Sequence, residues 1–203
     1  VDQTTTGNIV RGNTFGLSAN GTAMPNGVAI SVHNTNTHTI GGLNPGDANI
    51  ITNSNGRGIS IGTTSTTHSI TVRGNSIYGN TSLGIDLGAN DSVNLNDLGD
   101  ADTGSNGLQN FPVLNSAAPG ATTVTGTLNS TASSTFTIDL YANLACDANG
   151  YGEGKTYLGS TSVTTDSSGN GSFSISVSAL TNGTILTATA TSATGSTSEF
   201  SAC

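Results

Sequence analysis

Basic side chains are scarce in this sequence: Lys and Arg total 4, against 12 Asp and Glu, for a formal net charge of −8. Four cations cannot line a phosphate-binding stripe, so nucleic acid is excluded as a partner. No apolar run approaches the roughly 20 residues that a membrane-crossing helix requires. No secretory leader is recognised, and Val1 reads as starting mid-repeat, so the expectation is a mature or cleaved piece of something longer. Trp is absent and aromatics make up 4% of the chain, which leaves few of the ring platforms that sugar-binding clefts use. Helical periodicity is missing as well. Low charge, 8% of residues, also argues against disorder, which usually combines low hydrophobicity with many charges. Cysteine is limited to Cys146 and Cys203. In an acidic, Thr-rich, Lys-poor chain, one disulfide in an oxidising compartment is the economical reading, with two buried thiols as the alternative. The expected location is extracellular or at the cell surface.

What is present is Ser, Thr, Asn and Gly, interrupted by short alternating runs of Ile, Val and Leu, the pattern of β-structure. In the first ninety residues these runs recur. "GNTFGLS" from Gly12, "ANIITNSN" from Ala48 and "GNSIYGN" from Gly74 align Asn13, Asn49 and Asn75. "GVAISV", "GRGISI" and "SLGIDL" place Ile30, Ile59 and Ile85 at intervals of 29 and 26 residues. "THTIGG" from Thr37 and "THSITV" from Thr67 form a third pair, and "VRGN" occurs at Val10 and Val72. A period of this size signals a repeat architecture, here a solenoid of short strands whose successive coils pair in parallel. Ile59, Ile61, Ile70, Val72, Ile77, Ile85 and Leu87 are expected to point inward. Asn49 and Asn75 are expected at turns, in amide ladders. The longer early spacing fits insertions at "ANGTAMPNG" and "GGLNPGD".

On these motifs, "GNSIYGNTSLGIDLG" resembles the coils of secreted right-handed parallel β-helix repeat proteins. "DADTGSNGLQNFPVL" resembles the segment that closes the helix in a bacterial group of large cell-surface proteins, ahead of a C-terminal β-sandwich. The resemblance implies an all-β chain: β-helix coils over residues 1–90, an acidic capping connector over 91–114, and an Ig-like sandwich over 115–203. It is specific for fold rather than function, since β-helices host lyases, hydrolases, adhesins and structural proteins alike.

The connector gathers carboxylates without cations. Asp97, Asp100 and Asp102, with Asn96 and Asn106 nearby, offer the hard oxygen ligands that Ca²⁺ takes; a solvated acidic linker is the plain alternative. Leu108, Phe111, Val113 and Leu114 are expected to cap the open coil end, with Pro112 preventing further regular pairing. Beyond Asn115 the alternating runs lengthen, and five to seven antiparallel strands are expected. Their inward candidates are Val124, Leu128, Phe136, Ile138, Leu140, Phe173, Ile175, Val177, Leu186, Ala188 and Ala190. Asp147, Asn149 and Glu153, in "CDANGYGEG", form a weaker Ca²⁺ candidate that turn chemistry explains nearly as well. A Cys146–Cys203 bridge would pin the C-terminus.

Catalytic residues do not assemble from the sequence. Polysaccharide-cleaving β-helices place several acidic and basic residues on one exposed strand face, and inverting glycosidases need two spaced carboxylates. Here only Asp86 lies on a repeat strand, with Asp47 in an insertion. Arg11, Arg57 and Arg73 read as surface turn residues, with an Arg–Asp86 pair as the alternative. His38 and His68 occupy matching "TH-x-I" positions and could begin a metal pair, but neither His33 nor another side chain supplies a clear third ligand. The expected function is therefore a non-catalytic structural or adhesive surface protein, including a filament or surface-layer subunit. Its partners would be other copies, neighbouring surface proteins or glycans. The alternatives are the C-terminal part of a β-helix polysaccharide lyase or glycoside hydrolase with catalytic coils upstream, and a carbohydrate-binding module.

Overall fold

A computed structural model describes residues 6–33, 37–62, 69–115 and 117–203. The secondary structure is nearly all strand, with a single 3-10 turn at Ser105–Leu108 and no α-helix among the described residues. Nine short strands precede that turn: β1 (Asn8–Val10), β2 (Thr14–Phe15), β3 (Ile30–Val32), β4 (Thr37–Gly41), β5 (Ile50–Thr52), β6 (Ile59–Ile61), β7 (Ser69–Arg73), β8 (Ser76–Tyr78) and β9 (Ile85–Leu87). They form three parallel sheets of three strands, in the orders β1-β4-β7, β2-β5-β8 and β3-β6-β9. The chain thus visits the three sheets in turn, three times over.

The register matches two of the sequence alignments. Ile30 pairs with Ile59, and Ile59 with Ile85. Asn13, Asn49 and Asn75 stack as a ladder: the backbone N–H and Nδ2 of Asn13 donate to Asn49 Oδ1 at 3.0 and 3.1 Å, and those of Asn49 donate to Asn75 Oδ1 at 3.1 and 2.9 Å. All seven aliphatics expected inside are buried. Strands this short hold together because branched aliphatics from all three sheets fill one common core.

The third alignment fails. Thr37 pairs with Ser69 and His38 with Ile70, two residues on from the "TH-x-I" match. A two-residue slip keeps every side chain on its own face, so the hydrophobic pattern cannot distinguish the two registers. His38 thus lies across from Ile70, and His68, the other member of the histidine pair, lies outside the described residues.

Six further strands follow: β10 (Val113–Leu114), β11 (Thr123–Asn129), β12 (Thr135–Asn143), β13 (Thr156–Thr164), β14 (Asn170–Ser176) and β15 (Ile185–Ser192). They make two antiparallel sheets, β10-β11-β14 and β13-β12-β15, over a shared core. Nine of the eleven inward candidates are buried there, and Val177 and Leu186 pack at its margin.

The expected apolar cap needs correction. Phe111 is buried and Leu108 packs against the first core, but Val113 is 54% exposed and Leu114 packs on the second core. Val113 and Leu114 resume regular pairing directly after Pro112. The end of the first core is covered instead by Tyr141 and Phe200, whose rings meet edge to face at 5.4 Å. Tyr141 arrives there because β12 is buried on both faces: Phe136, Ile138 and Leu140 face the second core, while Asp139 and Tyr141 face the parallel sheets.

Candidate functional site

The densest chemistry in the molecule lies where the antiparallel half meets β7, β8 and β9. A parallel strand at a sheet edge presents backbone N–H and C=O groups that need partners once buried. On β7, Ile70 N–H donates to Asn106 Oδ1 at 2.8 Å and Val72 N–H to Thr197 Oγ1 at 2.9 Å, while Asn106 Nδ2 donates back to Ile70 C=O. On β8, Ile77 and Gly154 exchange two backbone hydrogen bonds of 2.9 Å. Just beyond it, Asn80 donates from Nδ2 to Glu153 Oε1 at 2.7 Å and from its backbone N–H to the same carboxylate. On β9, Leu87 N–H donates to Glu199 Oε1 at 2.9 Å, and Asn94 donates to both oxygens of Glu199. Donors of the last strands therefore meet acceptors of the connector and of the second half, edge by edge.

This arrangement buries acidic groups. Glu153 and Glu199 are each pushed up to about 7 by loss of solvent, against the pull of the N–H groups they accept. Asp139, fully buried, is also raised by desolvation, and Arg73 opposes the rise through two 2.7 Å hydrogen bonds. Arg73 lies on β7 and ties the halves together, so it is not a surface turn residue as its "VRGN" context suggested. Arg57 is likewise not a free turn residue: it pairs with Asp86, buried in β9, and with Asp91. Asp86 in turn accepts the backbone N–H groups of Asn90 and Asp91. The Arg–Asp86 pair exists, but with Asp86 inaccessible it serves the fold. Arg11 lies 3.7 Å from Asp47 in the insertion loop.

The connector does bring its three aspartates together. Carboxylate oxygens from Asp97, Asp100 and Asp102 all lie within 4.8 Å of one another. Burial raises Asp100 and Asp102, and the charge of Asp97 adds to the rise in both. Asp97 also accepts Ala101 N–H, and Asp100 accepts Asn110 N–H. Asp100 holds a left-handed backbone with φ of 58°, and its carboxylate also accepts Ser130 Oγ–H. Asn96 and Asn106 are engaged elsewhere. Asn96 exchanges two hydrogen bonds with the backbone of Phe111, and Asn106 is bound to Ile70 and Thr197. Three carboxylates at this separation suit a hard divalent cation such as Ca²⁺, with main-chain oxygens or water completing its shell.

The second loop divides. Asp147 and Glu153 line one cavity of about 210 Å³ with Tyr78 and Lys155, whose Nζ sits 4.5 Å over the Tyr78 ring. Asn149 instead accepts Tyr151 N–H within its own turn. Glu153 faces Asn80, so its main role is at the strand end. Cys146 and Cys203 are bonded across a separation of 57 residues, which fixes the terminal stretch that carries Thr197, Glu199 and Phe200. His33 Nε2 lies 2.7 Å from Ser31 Oγ on the surface.

Sequence reasoning missed Asp139, Tyr141, Asn80 and Glu199. The available signal was an acidic residue and a Tyr inside the strongly apolar run "IDLYA". No family model matches the chain, and no curated protein sequence matches it.

Proposed function

We propose that the chain is a non-catalytic structural or adhesive protein of the cell surface or extracellular space. In this reading the parallel sheets are coils of a β-helix of the secreted repeat type. The antiparallel half is an immunoglobulin-like sandwich that closes one end. The observation that carries the proposal is where the charges sit. The three arginines pair with carboxylates, and Glu153 and Glu199 accept hydrogen bonds from buried groups at strand ends. Charges committed in this way hold a rod together, and even Glu153, which lines a cavity with Asp147 and Lys155, is tied to Asn80 at a strand end. Neighbouring surface proteins, other copies and glycans are the partners of such a rod. Ca²⁺ bound by Asp97, Asp100 and Asp102 would relieve their mutual repulsion and stiffen the connector, which supports a role as a load-transmitting joint.

Incubation with a panel of acidic and neutral polysaccharides tests the proposal. Unchanged polymer length, together with ordered assemblies or a surface coat in electron micrographs of native material, is the expected result. Depolymerisation of any member would overturn it in favour of a lyase or hydrolase.

A further inference from the structure

The two ends of the parallel sheets are not equivalent. At the end formed by β7, β8 and β9, the donors are met by Asn106, Thr197, Glu153 and Glu199. At the other end, the outer edges of β1, β2 and β3 pair with no described strand. Over β1 and β2 the side-chain columns also run out there, whereas Ile30 and Val32 on β3 are buried. In the column Val10–Ile40–Val72, and again in Phe15–Ile51–Ile77, the first member is only partly buried while the next two are 0–2% exposed.

The asparagine ladder gives this end a chemical sign. Each earlier Asn donates, from N–H and Nδ2, to the Oδ1 of the next. Asn80 follows the same rule: it accepts Ser54 N–H at Oδ1 and donates to Glu153, which stands where a further asparagine would accept. Asn13, at the start, therefore turns an Oδ1 outward to which no described residue donates. We propose that this edge receives one more repeat of the chain's own kind, laid in parallel on β1, β2 and β3 by polypeptide leading into residue 1, with an asparagine donating to Asn13 Oδ1. Residues 1–5 are too few for this, since one circuit takes 30 residues from Asn8 to His38. A second copy is disfavoured by the same polarity. Its far end is covered by its own antiparallel half, and its near end offers another Asn13 acceptor, so acceptor would face acceptor.

The inference rests on the stacked-repeat reading above and is tested on the full chain. An extra copy of residues 38–69 is placed ahead of Asn8, so that its own Asn49 falls opposite Asn13. Hydrogen exchange is compared with the parent. The expected result is that amides of β1 to β3 exchange at least about tenfold more slowly and the melting temperature rises. A copy whose Asn49 is changed to Asp, which removes the side-chain donor, should lose much of that protection. An added repeat that exchanges freely, with β1 to β3 unchanged, would overturn the inference. So would a parent chain that sediments as a dimer with β1 to β3 already protected. If β4 to β9 are unprotected even in the parent, the stacked-repeat reading itself has failed.

Discussion

Glu153 and Glu199 are buried carboxylates facing N–H donors, and their response to pH follows from that position. Both are held near 7 in the folded chain, above an ordinary value of 4.5. A raised acid binds its proton more tightly when folded. The stability it contributes is therefore fully present below about 4.5 and is lost as pH rises through about 7, on the order of 3 kcal/mol for each group. Asp147 near Glu153, and Asp86 near Glu199, add like charge that pushes the same way. Asp91 and Asp166, which are lowered, act in the opposite sense at more acid pH. Thermal melts between pH 4.5 and 7.5 should show falling stability with rising pH. Glu199→Gln and Glu153→Gln should each flatten that slope. A melting temperature that climbs over this range, or a slope the two substitutions leave untouched, contradicts the assignment.

At the scale of elements, the connector and the C-terminal stretch carry the adjustable parts. With three carboxylates held within 4.8 Å, the connector should respond to Ca²⁺. Chelation is expected to lower the melting temperature and speed hydrogen exchange over residues 90–106, and an unchanged melt with no metal by elemental analysis would remove Ca²⁺ from the account. The disulfide spans 57 residues, so reducing it should weaken the chain by about 4 kcal/mol on a loop-entropy basis. The loss should appear first as faster exchange at Val72 and Leu87, because the stretch it pins supplies their acceptors, Thr197 and Glu199. Protection lost first in β11 and β14 would place the bridge's effect elsewhere.

The elements were legible in the sequence to different degrees. Parallel pairing could be read from Ile30, Ile59 and Ile85 because period-two alternation and a repeated spacing are local signals. The two "TH-x-I" motifs misled because a shift of two residues preserves facing. The joint was invisible for another reason. Arg73 and Asp139 are 66 residues apart, Asn80 and Glu153 are 73 apart, and Leu87 and Glu199 are 112 apart. Each polar residue involved occupies a strand or turn position that normally faces water, and only the docking of two sheets makes it interior. Of the candidate site, the three aspartates were readable as a cluster, while the commitment of Asn96 and Asn106 to Phe111, Ile70 and Thr197 was not.

Across the whole molecule, the antiparallel half functions as the lid of the parallel sheets. Tyr141 and Phe200 complete their core, and side-chain acceptors complete their last edges. Neither half is then stable as drawn without the other: the first would expose an apolar core end, and the second would expose the Tyr141 and Phe200 rings that lie in that core. The two should unfold together. Scanning calorimetry of the oxidised chain tests this most directly. A single transition, with calorimetric and van't Hoff enthalpies that agree, is the predicted result. Two resolved transitions, with the parallel sheets persisting after the antiparallel half has melted, would contradict it.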